Sequence, residues 1–346
     1  MTRRNAIAIA GAAPLLSAGE AAQTTATLPV KLGIDLFSIR TSGYTPFQYL
    51  DYCAAQKVSV VHFSEVRFIG NLEPDNLRKV RKYSEEKGIE VELGMKSICP
   101  SSKMFEAKEG TAEEQLSRMI ISAGLVGSKI VRCVLGSSED RKPGPLALHI
   151  DAMVKVLRNV RSKAQDANIK IAVENHSGDM QGWQLKGLIE AAGKDFVGAC
   201  LDSGNPCWTL EDPHSTLEQL HPYVLTSHVR DSAVWRTPDG AAVSWVRMGE
   251  GNVNIDEYCR KYAALCPGKA LSMECIVTPP RPFNYRKPEF WDGYRDVPAW
   301  NFERFTEIAE RGKPVDFQRT DRAQAAQKER EDLEASLRHT RQIFGL

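Results

Sequence analysis

The chain has 346 residues, of which 42% are hydrophobic and 26% are charged, a composition typical of a globular protein with a large buried core. This composition excludes a disordered chain, a collagen-like chain and a small disulfide-stabilised protein. Lys and Arg number 45 against 44 Asp and Glu, so the net charge of +1 provides no overall field that would hold a nucleic acid.

The first residues, 1–27, have the layout of an export signal. Arg3 and Arg4 precede a short apolar stretch over residues 6–16, which small residues follow. This arrangement resembles a twin-arginine signal and predicts export to the periplasm. The alternative is a cytoplasmic protein that keeps the segment, because no clear Ala-x-Ala cleavage site follows. No other stretch has the roughly 20 apolar residues of a membrane span, so we expect no stable membrane association.

From residue 28 onward, short β-branched runs alternate with longer amphipathic stretches. The predicted strands are 31–37, 58–63, 89–95, 129–134, 169–173, 197–201, 224–229 and 270–275. The predicted helices between them are 46–56, 76–87, 112–125, 148–167, 184–192 and 256–265. Such alternation is typical of βαβ units and a parallel sheet. Eight units predict a single (β/α)8 barrel over 28–312, and the absence of a Gly-rich turn after the first strand disfavours a doubly wound sheet.

The end of the chain is predicted to close the barrel and to add a tail. Residues 278–294 are rich in proline and aromatic residues, which suits an ordered loop at the barrel mouth. Residues 300–311 are predicted to be the eighth helix of the barrel. Residues 313–346 are predicted to be a C-terminal helical tail with a solvated helix over 319–344, and a partner-binding helix is the alternative.

The eight cysteines show no C-x-x-C pair and no regular spacing. This argues against a zinc ribbon, an iron–sulfur cluster and a disulfide framework. We expect them to be small buried hydrophobic side chains with free thiols.

Four consecutive predicted strands end in residues that can ligate a metal, namely Glu174, Asp202, His228 and Glu274. Barrel enzymes place their reactive groups at the carboxyl ends of the strands, so these side chains should converge. Three buried carboxylates would repel one another, and a divalent cation would offset that repulsion. Three oxygen ligands and one imidazole suit Mn²⁺ best, with Mg²⁺, Co²⁺ and catalytic Zn²⁺ as alternatives.

In this order the motifs Val-Glu-Asn-His, Leu-Asp-Ser-Gly-Asn and Ser-His-Val-Arg-Asp resemble those of xylose isomerase-like barrels, the superfamily of sugar isomerases, sugar epimerases and endonuclease IV. The resemblance covers residues 31–276. It implies that the four residues bind one divalent metal and that Glu174 and Glu274 also act as acid and base. The DNA-repair branch has a histidine three residues after the aspartate, where this chain has Asn205, so we expect a single metal and no nucleic acid partner. Barrels of this family often pair, which leaves a homo-oligomer open.

Further residues near the strand ends are predicted to contact the substrate. His176 and Arg230 each lie two positions beyond a candidate ligand, on the same side of an extended strand end. The predicted substrate-binding residues are His62, Lys96, His176, Asn205, Trp208 and Arg230, and Glu65 is a further candidate. Trp183, Trp208, Trp235 and Trp245 all follow strands five to seven, where indole faces could stack on sugar C–H groups. We therefore expect a small carbohydrate substrate.

The sequence predicts a metal-dependent sugar isomerase or epimerase that removes a proton beside the carbonyl of a keto sugar, giving an enediolate that the metal stabilises. The same intermediate could expel a substituent, so a lyase or hydratase acting on keto-glycosides or cyclitols is the first alternative. A non-catalytic sugar-binding barrel that keeps the metal for structure is the second.

Overall fold

The computed structural model describes residues 31–142 and 144–345. The predicted signal segment, residues 1–27, lies outside the described residues. None of the helices in the described ranges combines the length and apolar character needed to cross a membrane.

The strands of the structure form a closed barrel and a small separate sheet. In chain order they are β1 (Lys31–Asp35), β2 (Val60–Phe63), β3 (Glu90–Ser97), β4 (Ile130–Val134), β5 (Lys170–Glu174), β6 (Val197–Asp202), β7 (Val224–Val229), β8 (Asp231–Thr237), β9 (Gly240–Val246), β10 (Ala270–Met273) and β11 (Arg281–Phe283). Parallel pairing closes β1 to β7 and β10 into one barrel in the order β1-β10-β7-β6-β5-β4-β3-β2. The predicted eight-stranded barrel is confirmed.

Eleven α-helices lie within the described residues, and most of them surround the barrel on its outer face. They are α1 (Pro46–Ala55), α2 (Val66–Ile69), α3 (Pro74–Glu86), α4 (Ala112–Val126), α5 (Leu146–Asn159), α6 (Arg161–Asp166), α7 (Gly182–Ala192), α8 (Pro213–Leu220), α9 (Ile255–Leu265), α10 (Ala299–Arg311) and α11 (Ala325–Phe344). The predicted helix over 148–167 is divided at Val160, and α8 was not predicted.

Successive side chains of each strand point alternately outward, into an apolar layer under the helices, and inward, into the barrel. Leu93 and Val131 face the main hydrophobic core between strands and helices. The residues at the alternate positions point inward, where Ile130, Ala172 and Cys200 form a small apolar cluster. Above and beside this cluster the interior carries charged side chains rather than the branched aliphatic residues common in such barrels. All eight cysteines are buried and free, as predicted.

The segment after β7 is a β-hairpin, which the sequence analysis did not predict. β8 and β9 pair antiparallel from Asp231↔Val246 to Thr237↔Gly240, and β11 pairs with β9 on the other side. This three-stranded sheet lies beside the barrel mouth and holds Trp235 and Trp245 in strands.

The eighth helix of the barrel is α11 rather than the predicted 300–311 segment. α11 packs against β10 and α9, while α10 packs on the hairpin strands β8 and β9. The helix is not solvated as predicted, because Leu333 and Leu337 are fully buried. Its Ser336 hydroxyl lies 3.3 Å from the Cys275 thiol, just beyond the end of β10. The C-terminal helix therefore belongs to the barrel wall.

Candidate metal centre

Four adjacent strands bring Glu174, Asp202, His228 and Glu274 together at the barrel mouth; we call these residues the ligand cluster. One ligand atom from each lies within 4.8 Å of the others. His228 Nδ1 is 3.0 Å from a carboxylate oxygen of Glu174 and 3.3 Å from one of Glu274. The parallel register sets this convergence, since Asp202 pairs with His228 across β6 and β7.

Two buried arginines already balance the carboxylates of the ligand cluster. Arg132 Nη2 lies 2.5 Å from Glu174 Oε2, and the Arg230 guanidinium contacts both Asp202 and Glu274. The repulsion between carboxylates, from which the sequence analysis inferred a cation, is therefore partly offset by the protein itself. The case for a metal has to come from the donor atoms.

The protonation states of the cluster depend on burial and on these neighbours. Burial alone would raise the pKa of Glu174, but Arg132 and His228 outweigh it and hold that pKa well below its usual range. Burial raises the pKa of Asp202 to about 6, against the effect of Arg230. Burial would lower the pKa of His228, but anionic groups around it hold that pKa well above its usual value. In the metal-free protein an imidazolium thus stands among carboxylates.

The donor set fits a divalent cation. Nδ1 of His228 lies 3.0 Å from Glu174 and 3.3 Å from Glu274, but among the described residues it makes no hydrogen bond of good geometry. The nitrogen and the carboxylate oxygens therefore face one another as ligands around a shared cation would. Three carboxylates and one imidazole favour Mn²⁺, Mg²⁺, Co²⁺ or catalytic Zn²⁺ over a structural zinc. The cluster is therefore a candidate metal-binding site.

His62 lies behind His228 and does not reach the substrate side, contrary to the prediction. It is fully buried, and its Nδ1 lies 2.7 Å from His228 Nε2. A carboxylate oxygen of Asp35 lies 3.3 Å from the same Nε2 atom. When Nδ1 of His228 binds a metal through its lone pair, Nε2 carries the proton of the ring. That N–H then donates toward His62 and Asp35. His62 and Asp35 are thus placed to fix the tautomer of His228.

Above the cluster lies a cavity of about 240 Å³, which we call the site cavity. Of the ligand cluster only Glu274 lines it, together with His176, Arg230 and Lys96. The Nδ1 atom of His176 lies 2.7 Å from the Gly136 carbonyl oxygen, and burial lowers its pKa to about 4, so the ring is neutral at pH 7. Lys96 is half exposed and pairs with Glu106 at 2.8 Å. These three predicted substrate-binding residues border the same space.

Asn205 lies next to the ligand cluster rather than in the site cavity. Its backbone N–H donates to Asp202 Oδ1 at 2.7 Å, and its side-chain amide lies 3.3 Å from Glu174 Oε1. It therefore orients two candidate ligands.

The four tryptophans occupy different places. Trp245 lines the site cavity, and the Arg230 guanidinium lies 4.2 Å from its ring centroid. Trp208 stacks behind Trp245 with ring centroids 4.0 Å apart, so it does not line the cavity as predicted. Trp235 is buried in the hairpin, and Trp183 lies on the outer surface. Gly204 permits this packing, because a Cβ there would overlap the Arg230 side chain.

Sequence reasoning missed Arg132, the partner of Glu174. The signal was present: β4 reads Ile-Val-Arg-Cys-Val, a charged residue within an apolar strand. Arg132 lies two positions after Ile130 on the same strand, so its side chain points to the same side, into the barrel.

A closed (β/α)8 barrel that gathers polar residues at the carboxyl ends of its strands is the architecture of TIM-barrel enzymes. Residues 47–287 match the family described as xylose isomerase-like TIM barrel, and the chain belongs to this family. The resemblance inferred from the strand-end motifs is confirmed.

Individual relatives differ in the reactions that their names describe. A 3-oxo-isoapionate decarboxylase from Pectobacterium atrosepticum is 25% identical over 230 residues, which cover 66% of this chain and 71% of that protein. The structure of a D-psicose 3-epimerase in the presence of D-fructose matches with a TM-score of 0.59 at 14% identity, covering 92% of this chain and 100% of the other. A probable 3-DHS dehydratase from Bacillus anthracis matches with a TM-score of 0.55 at 15% identity, covering 71% of this chain and 92% of the other. The two structural matches show a shared fold.

Proposed function

We propose that this protein is a divalent-metal-dependent lyase that decarboxylates a keto sugar acid. One observation carries the proposal: of the two glutamates predicted as acid and base, only Glu274 lines the site cavity. Glu174 is fully buried and is held by Arg132. Epimerisation by two opposed bases requires both glutamates to reach the substrate, whereas a lyase requires one proton-transfer group.

The charges around the site cavity support an acidic substrate. Three cations, Lys96, Arg132 and Arg230, line it against two carboxylates, those of Glu65 and Glu274. Arg guanidinium groups bind carboxylates in a planar, bidentate geometry. The decarboxylase that is 25% identical to this chain supports the same reaction class.

In the proposed reaction, different residues of the site hold the metal, bind the substrate carboxylate and transfer the proton. A divalent cation held by the ligand cluster would act as a Lewis acid on the carbonyl group of the substrate. The cavity cations hold the carboxylate, whose C–C bond breaks with release of CO₂ and leaves its electron pair on the substrate as an enolate. Glu274, which lines the site cavity, passes a proton from solvent to that carbon. Arg230 contacts both Glu274 and Trp245, which fixes the position of the glutamate.

An isomerase or epimerase is the second candidate, and the four-residue ligand cluster favours it. Both reactions generate an enediolate beside a carbonyl, and they differ in whether Glu174 exchanges a proton with the substrate. Release of Glu174 from Arg132 on substrate binding would be required.

The two reactions are separated by following CO₂ release and solvent deuterium incorporation for a panel of 3-keto sugar acids and ketoses, with the Mn²⁺-loaded protein. A decarboxylase releases CO₂ and places one deuterium on the carbon that lost it, and Glu274→Gln lowers turnover by about 100-fold or more. Glu289→Gln, on an exposed glutamate outside the cavity, is the matched control. Deuterium exchange on ketoses without CO₂ release would establish the second candidate instead.

A further inference from the structure

A second cavity opens beside the site cavity. This side cavity, of about 340 Å³, lies between the carboxyl ends of β2 and β3 and the first turns of α4. Glu65 and Lys96 line both cavities, so the two spaces adjoin. The site cavity alone is smaller than the roughly 300–1,000 Å³ typical of ligand pockets, whereas the two cavities together fall within that range.

The side cavity has an apolar floor. Met95 and Met119 form it and are 6% and 3% exposed, and Leu72 adds a half-buried wall. Methionine side chains adapt to irregular shapes and pack well against C–H groups.

The rim of the side cavity is charged but electrically balanced. Three cations, Arg67, Lys96 and Arg118, face three carboxylates, Glu65, Glu106 and Glu109, among the described lining residues. The site cavity, by comparison, has one cation more than its two carboxylates. The balanced rim of the side cavity disfavours a phosphate or a second carboxylate as ligand. Paired donors and acceptors around an apolar floor suit a neutral group with many hydroxyls.

The wall of the side cavity is preorganised. The Gln115 amide donates to the carbonyl oxygens of Glu106 and Gly110 at 3.0 and 2.9 Å, which ties the preceding loop to α4. A capping box between Thr111 and Glu114 fixes the start of the helix. The exposed ion pairs of the rim add little to stability, so their charged groups are free to exchange partners with a ligand.

We propose that the side cavity binds a neutral sugar unit joined to the reacting keto acid, so that the substrate is a glycosylated sugar acid rather than a monosaccharide. This inference rests on the proposed function for the location of the reacting unit. The acidic unit lies in the site cavity against the cations, and the attached sugar lies over Met95 and Met119.

Equilibrium binding to the Mn²⁺-loaded protein tests the proposal with gluconate and with lactobionate, which is gluconate carrying a galactosyl unit. Neither probe has a keto group, so binding is measured independently of turnover. We expect lactobionate to bind at least tenfold more tightly than gluconate. Leu72→Trp should remove this advantage and leave gluconate affinity unchanged, and Arg118→Trp, at the exposed rim, should do the same without altering a buried position. Leu148→Trp, on the exposed outer face of α5, is the control.

Equal affinity for the two probes, an advantage that survives both tryptophan variants, or binding of neither probe would overturn the side-cavity proposal. Failure of the proposed function would appear differently, as absence of CO₂ release from keto sugar acids while lactobionate still binds more tightly than gluconate.

Discussion

At the scale of single residues, the ligand cluster is held in place by side chains that do not line the site cavity. His62 and Asp35 face Nε2 of His228 from inside the barrel, at 2.7 Å and 3.3 Å. Partners of this kind orient a ligating imidazole and set which nitrogen carries the proton.

His62→Leu should therefore weaken Mn²⁺ affinity by about 10- to 100-fold, because Nε2 of His228 loses its hydrogen-bond acceptor. His62→Asn offers an amide oxygen near the position of Nδ1 and should recover most of that affinity. Competition with a chelator measures both dissociation constants. Activity at saturating Mn²⁺ should change much less than affinity; an unchanged dissociation constant in His62→Leu would show that His62 does not position His228.

Glu92 gives a pH-dependent prediction inside the barrel, where its carboxylate lies 3.8 Å from Nδ1 of His62. Burial raises the pKa of Glu92 to about 7, although it accepts a hydrogen bond from the Thr226 hydroxyl at 2.6 Å. The folded state therefore retains this proton at pH values where the unfolded chain has released it. By linkage, the free energy of unfolding falls as the pH rises from about 4.5 to about 7, by up to about 3 kcal/mol from this group.

Glu92→Gln keeps the acceptor for Thr226 but cannot ionise. Urea unfolding of metal-free protein at pH 5 and pH 8 should show the variant gaining stability relative to the parent protein at the higher pH. Glu303→Gln, an exposed residue of α10, is the control. A stability difference that stays the same at both pH values would mean that Glu92 is ionised throughout.

The four candidate ligands and His176, Arg230 and Lys96 could be located from sequence, because each follows an apolar strand at a fixed offset. The places of His62 and Trp208 could not be predicted. His62 lies behind His228, and Trp208 stacks behind Trp245, because of contacts between side chains that are distant in the sequence. Arg132 was overlooked because a charge inside a strand is usually a surface residue, and only the closure of the barrel turns that position inward.

At the scale of elements, the strands were predictable because β-branched runs with a parallel-sheet pattern are local signals. The hairpin β8–β9 was not recognised, although its two-residue turn, Pro238-Asp239, is followed by Gly240 and joins two runs of strand-forming residues. The role of α11 was missed because its overall polarity hides a stripe of Leu333, Leu337 and Phe344 at helical spacing.

Leu333→Ala should destabilise the protein by about 2–5 kcal/mol, because it leaves a cavity where α11 closes the barrel. Arg338→Ala, on the exposed face of the same helix, should change stability by less than about 0.5 kcal/mol. Chemical denaturation gives both values. A loss of under 1 kcal/mol for Leu333→Ala would indicate that α11 is a solvated tail, as the sequence analysis predicted.

At the scale of the whole molecule, a column of polar side chains runs through the barrel interior beside its small apolar cluster. It leads from Glu92 through His62 and His228 to Glu274. Arg132 and Arg230 supply the buried positive charge of this column, and the ligand cluster lies at its upper end. The site cavity and the side cavity open above it on the hairpin side and the α4 side. The ligand cluster, the buried arginines and both cavities thus all lie at the carboxyl ends of the barrel strands.

Metal content tests the central claim most directly. After reconstitution with Mn²⁺ and gel filtration, elemental analysis of the parent protein should give about one metal ion per chain. His228→Ala and Asp202→Asn should retain almost none, while His339→Ala, a histidine far from the cluster that pairs with Asp256, should retain a full equivalent. Absence of bound metal in the parent protein, or equal retention in all variants, would contradict the assignment of Glu174, Asp202, His228 and Glu274 as a metal centre.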